Sequence, residues 1–312
     1  MEIAPGRHAV LFIFSVTVLF VAGCSPAYKG NLFKLDLPDD CPGNEEALTR
    51  DRTDPLTAGQ DQLRCALQAV RNMQPPERQP RAHEALTASR ICSLLAESSP
   101  AGAAGDERRK SLAWEGVAWA EYSMGTGLAI DPATSYYYSI NLGIAVRDSI
   151  LTAMKYLGRL QRHLGRAVRE APELDSGGPL RTMGYLLIKA PPWPAGIGDP
   201  EKGIEMLRKA VEQFPDYPPN RIYLARGLWE ADEDEDSALE IAKAAADSLR
   251  AGSWGIRHQA WIRDLSDLLN QIGNQDAADE ILSGLDSDST APTGTDAANQ
   301  AGGNSGLSPS VP

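Results

Sequence analysis

The chain has 312 residues, 30 Lys and Arg against 42 Asp and Glu, and a formal net charge of -12. With no basic cluster to offset that balance, binding to phosphate backbones is opposed electrostatically, and nucleic acid is excluded as a partner. About 260 residues remain once the two ends described below are set aside, enough for one large or two small cores.

The chain begins with Arg7 and His8, a short positive region. An apolar run of 14 residues follows from Ala9 to Ala22, broken only by Ser15 and Thr17. Roughly 20 are needed to span a bilayer as a helix, so this length suits the core of a signal peptide instead. Val21, Ala22, Gly23 and Cys24 complete the pattern. Small residues lie extended in a peptidase cleft, and the cysteine offers a thiol to a diacylglycerol group. The segment resembles the bacterial lipobox. It predicts cleavage after residue 23 and a membrane anchor through lipidated Cys24. Ser25, rather than Asp, favours the outer membrane by resemblance to Gram-negative lipoproteins. The mature chain is then expected to face the periplasm, the anchor being strengthened by each buried methylene.

Residues 24–55 are rich in Pro, Asp and Gly and read as a tether. Three cysteines remain beyond the anchor, Cys41, Cys65 and Cys92, in a compartment that permits disulfides. An odd number leaves one thiol over. A bridge between Cys65 and Cys92 across a helix pair is one expectation. Cys41 with Cys65 is the rival, and buried unpaired thiols are the third. No metal site follows, since there is no CxxC and His83, His163 and His258 are isolated.

From 56 to 285 the pattern is helical and strand-like alternation is missing. A small or apolar residue recurs with a bulky one four later, an apolar one seven later and a proline beyond. Gly203, Leu207, Ala210 and Pro215 fit, as do Leu160, Leu164, Ala167 and Pro172, and Ala88, Cys92, Leu95 and Pro100. Those offsets put three residues on one helical face, and the proline ends the helix. Ala120, Met124, Gly127 and Pro132 fit too, so strict alternation makes one of two neighbouring matches accidental. Partner helices should carry a large residue, then a small one, then an apolar one three later. Leu142, Gly143 and Val146 do so, as do Met183, Gly184 and Leu187, and Leu224, Ala225 and Leu228. Ala238, Ala242 and Ala245 supply a last second helix.

The pattern resembles the tetratricopeptide repeat, whose period is about 34 residues. The expected fold is all-α, an array of cryptic helical hairpins over 56–285. Lys189 to Asp199 is inserted between paired helices. Asp199 should cap a helix opening with Pro200, which needs no amide proton there. Glu230 to Asp236 reads as a polar break. Residues 286–312, where the composition shifts to Ser, Gly, Asp, Ala, Thr and Pro, read as a disordered tail.

Three stretches carry a further resemblance: Tyr136 to Gly143 continuing to Arg147 and Asp148, Ala171 to Pro179, and Lys189 to Lys202. Together they resemble the T component associated with TRAP transporters, TatT, and its broader family of lipoproteins, over roughly 60 to 250. That resemblance implies helical hairpins around a groove or pore. It also implies a periplasmic solute-binding protein as partner, small hydrophobic or carboxylate ligands, and trimers. No cofactor is implied.

Within those stretches, Tyr136, Tyr137 and Tyr138 point in three directions, so at most two face a groove. Asn141 shares a side with Tyr137 or Tyr138, and Arg147 offers a fork suited to a carboxylate or to an inter-helix acid. Trp193, among Pro191, Pro192 and Pro194, is presented as an interface anchor or folds back as a plug. The amides after Gly177 and Gly178 offer an anion a helix N-terminus. No nucleophile elbow, Walker sequence or dinucleotide fingerprint is present, so no catalysis is expected. The sequence therefore points to a lipid-anchored binding protein serving solute uptake, or to an envelope scaffold acting through protein contacts alone.

Overall fold

A computed structural model describes residues 32–73, 78–127, 129–232 and 234–285. The signal segment, Cys24 and the tail lie outside the described residues. Within them the fold is all-α. Two short helices, α1 (Asn44–Ala47) and α2 (Arg50–Thr53), lead into α3 (Gln60–Arg71). Hairpins follow: α4 (Ala82–Glu97) with α5 (Ala103–Thr126), and α6 (Pro132–Val146) with α7 (Ile150–Glu170). Next come α8 (Gly178–Lys189) with α9 (Pro200–Gln213), and α10 (Pro218–Asp232) with α11 (Glu235–Ala251). A 3-10 turn (Gly255–Arg257) opens the final pair, α12 (His258–Ile272) and α13 (Gln275–Leu282). Local signals set these boundaries. Asp199 accepts from the amide of Lys202 at 3.1 Å, with Pro200 at the first helical position as expected. Asp131 likewise accepts from Ala133 at 2.7 Å ahead of Pro132.

The even-numbered helices α4, α6, α8, α10 and α12 touch one another in succession, running parallel. The odd ones from α5 to α11 back them; α7, α9 and α11 bury one stripe and leave a polar face in water, while α5 is buried on several sides. The stripes are the residues singled out by spacing: Leu160, Leu164 and Ala167 on α7, Gly203, Leu207 and Ala210 on α9, and Ala238, Ala242 and Ala245 on α11. Ala120 and Met124 lie on α5, the second member of its hairpin, so the similar match on α4 is the accidental one. Small residues set the closest approach. A Cβ on Gly184 would stand 2.8 Å from the carbonyl oxygen of Gly203, and one on Gly203 2.7 Å from that of Gly184. The expected break at Glu230 to Asp236 is shorter than it read: α10 runs to Asp232 and α11 starts at Glu235. Helix caps absorb the acidic residues, Asp234 accepting from the amide of Ser237.

Two expectations need correction. The described part of the tether is folded: Leu35, Ala47 and Thr53 are buried, and Phe33 packs against the first core cluster. Its few apolar side chains find a surface on α3 and α5 that would otherwise face water. The bridge is Cys41–Cys65, with Cα atoms 5.5 Å apart, and not Cys65–Cys92. The folded segment before α3 brings Cys41 to Cys65, and Cys92 on α4 stays a buried free thiol.

The array curls back on itself. Arg263 of α12 donates to the carbonyls of Ser99 at 3.0 Å and Glu97 at 3.3 Å, across more than 160 residues of sequence. Ile256 packs into the first core cluster, and Gly255, at φ +55°, lies so close to the Leu56 carbonyl that a Cβ would meet it at 2.6 Å. The curved array thus meets its own start.

Candidate functional site

Asp175 anchors the interior. It sits in the α7–α8 turn with φ 49°, followed by Ser176 at φ 50° and Gly177 at φ 83°. This left-handed run, costly for non-glycine residues, aims the carboxylate inward. It accepts from Arg257 at 2.8 Å, Arg181 at 2.9 Å, Tyr136 at 2.8 Å and Tyr217 at 3.0 Å. Burial opposes its charge, but the guanidiniums of Arg257 and Arg181 and these hydrogen bonds outweigh that, holding the carboxyl far below its usual range. Arg181 also donates to Asn220 Oδ1 at 2.7 Å, and Asn220 holds the carbonyls of Ser176, Ala210 and Phe214. One carboxylate therefore ties together the N-terminal ends of α6, α8, α10 and α12.

Around that anchor lies a partly exposed polar wall. Arg90 and Glu97 come from α4, Tyr137 from α6, Tyr185 from α8, Tyr223, Arg226 and Glu230 from α10, and Asp264 from α12. The charges around the Tyr137 phenol are Asp175, Arg90, Arg257 and Glu97, and those around Tyr223 are Asp264, Arg181, Glu97 and Arg226, so polar groups from five helices lie near one another. Glu97 stands 3.3 Å from Arg257 with 28% of its side chain exposed. Burial pushes the Glu97 and Asp264 carboxyls up, and the Tyr223 phenol up to about 12. Tyr185 donates to Glu230 at 3.2 Å, and Lys189 pairs with the same carboxylate at 3.1 Å. Among the described residues the hydroxyls of Tyr137 and Tyr223 make no hydrogen bond. Arg90 donates to the Thr53 carbonyl at 3.0 Å, and its Nε has no partner there. The wall thus presents the Tyr137 and Tyr223 phenols as donors beside carboxylates as acceptors, while the Arg90 Nε is itself buried.

No protein-family model and no curated protein matches the chain.

Of the residues expected to form a site, only Tyr137 belongs to this wall. Tyr138 is buried with its ring 4.5 Å from that of His163, because its position on α6 turns it toward α7. Asn141 is fully buried between α4, α5 and α6, donating to the Ser89 and Tyr137 carbonyls at 2.9 Å each. It fills the room left by Gly116, whose Cβ would lie 2.3 Å from it. Arg147 is exposed at the end of α6, 3.5 Å from Asp148. Gly177 and Gly178 are packed under Phe214 and Tyr136, and the Gly178 amide is bound to the Leu174 carbonyl at 2.8 Å, so an anion finds no opening. Trp193 is 84% exposed, so it is no plug over the protein's own helices. Glu97, Arg181, Tyr223 and Arg257 carry no local signal. They belong to segments far apart in sequence that meet only because the array curls. Tyr136, Tyr137, Asp175 and Lys189 stood in the stretches that carry the resemblance, and the Asp-Ser-Gly-Gly turn was a legible sign of left-handed backbone.

Proposed function

We propose that this is a binding protein of the cell envelope, held by lipid on Cys24, which recognises its target through the interior of its helical array. The observation that supports the reading is that the Tyr137 and Tyr223 hydroxyls, which bond no described residue, lie among charged groups from α4, α8, α10 and α12. A helical-hairpin array with a polar concave face suits recognition of extended or oxygen-rich groups. The charged groups inside are neutralised by one another, as in Asp175 with Arg181 and Arg257, which fits a binding wall more than a reacting centre. The Cys41–Cys65 bridge fits an oxidising compartment.

Following the resemblance to TatT-like lipoproteins, the target is a periplasmic solute-binding protein or its small ligand, and the role is accessory to TRAP-type uptake, with a trimer as the assembly. The second reading, a scaffold for other envelope proteins with no part in transport, is favoured by how fully the interior charges are paired. Native mass spectrometry of the protein extracted from envelopes separates these. A retained small molecule or co-purified solute-binding protein supports the first, and other envelope proteins alone support the second. A bare monomer with no lipid mass on Cys24 contradicts both.

A further inference from the structure

The three most exposed large apolar side chains described are Leu151 at 85%, Trp193 at 84% and Ile150 at 81%. Ile150 and Leu151 form the exposed first turn of α7, and Trp193 stands in the loop that follows α8. Helix α7 runs antiparallel to α8, with Gly165 beside Met183 and Leu160 in the cluster that receives Leu186. Met154, 37% exposed, extends the apolar tip by one turn.

Behind the tip, α7 is basic. Lys155, Arg159, Arg162, Arg166 and Arg169 recur at alternating steps of four and three, which places them on one face in line with Leu151. Glu170 is the helix's one acidic residue. Arg159 meets Glu121 only at 3.8 Å on the surface, and Arg166 meets Glu170 at 3.2 Å. Lys155, Arg162 and Arg169 form no ion pair among the described residues. In a chain of net charge -12 this is a local reversal of sign, hidden in the linear sequence by helical spacing.

We propose that this face of α7 docks on an anionic phospholipid bilayer. Ile150 and Leu151 enter the interfacial layer, and the basic stripe of α7 meets the headgroups. Projecting apolar side chains with cations behind them suit a lipid interface. A second copy related by a two-fold axis would set one basic stripe against another, which like-charge repulsion opposes. The proposal rests on the reading that Cys24 is lipidated. Leu32 lies eight residues beyond Cys24, and eight residues reach at most about 29 Å, so the anchor keeps the folded part within reach of headgroups.

The test uses residues 25–312, free of acyl groups, with vesicles of phosphatidylethanolamine and phosphatidylglycerol. Sedimentation with these vesicles, weakened by high salt and by replacing phosphatidylglycerol with phosphatidylcholine, is expected. The paired substitution Ile150→Ser and Leu151→Ser should lower partitioning about tenfold or more. Being so exposed, neither side chain is needed for folding. Absence of binding overturns the proposal, as does binding indifferent to the paired substitution. A concentration-dependent oligomer dissolved by the paired substitution also overturns it, assigning the face to a second copy. Radiolabelled palmitate incorporation into the full chain and its loss in Cys24→Ser report separately on the anchor.

Discussion

Replacing Asp175 with Asn removes one charge from the interior while keeping shape. Asn also tolerates the left-handed backbone at φ 49°. The carboxylate has 10% of its side chain exposed, and its partners Arg181 and Arg257 have 5% and 7%, so solvent screens little of what is lost. Breaking a buried pair from one side costs about 3–5 kcal/mol, because the other charge stays buried. Here two guanidiniums are stranded, but Glu97 remains 3.3 Å from Arg257 and Asn220 remains on Arg181 at 2.7 Å. That relief places the expected loss near the lower end, about 3 kcal/mol. Urea unfolding followed by far-UV circular dichroism should show a midpoint lower by roughly 1–3 M at unchanged slope. Lys243→Met, which breaks an exposed pair with Glu280, should leave the midpoint where it is. A loss under about 1 kcal/mol in Asp175→Asn would mean the cluster is hydrated and not the clamp described.

Acid should act in two opposed ways. Asp175 has a folded pKa below its unfolded value, so its contribution is present above about pH 4 and is lost as pH falls further. Glu97 has a raised folded pKa, so the folded state binds its proton first and stability rises slightly as pH falls through that value. Denaturant midpoints should therefore rise gently and then fall steeply on acidification, with the rise reduced in Glu97→Gln. Gly184→Ala should cost about 1–3 kcal/mol by forcing α8 from α9 at a 2.8 Å contact, read from the same unfolding curves. Cys41→Ser should cost about 3 kcal/mol by freeing a loop of 24 residues. Burial pushes the Cys92 thiol well up, so a thiol reagent should leave it unlabelled in native protein and label it after denaturation.

The hairpin array was legible because its signals are local. Spacing of Leu160, Leu164 and Ala167, the Asp199–Pro200 cap and the paired small residues Gly184 and Gly203 each act within a few turns. The disulfide was not, because choosing between Cys41 and Cys92 as partner of Cys65 depends on how residues 33–53 fold back. The interior was largely hidden. A tyrosine's place in a run of three does not say which one faces inward, and Tyr138 and Asn141 turned out to pack helices together. Arg257 reaches Asp175 across 82 residues, a meeting no spacing rule encodes.

Site-specific photo-crosslinking in living cells tests the binding interior most directly. With p-benzoylphenylalanine in place of Tyr137 or Tyr223, light should yield one discrete adduct, whereas the same probe at Lys209 on the exposed face of α9 should yield none. Adducts from Lys209 alone, or none from either interior position, would contradict recognition through the inside of the array.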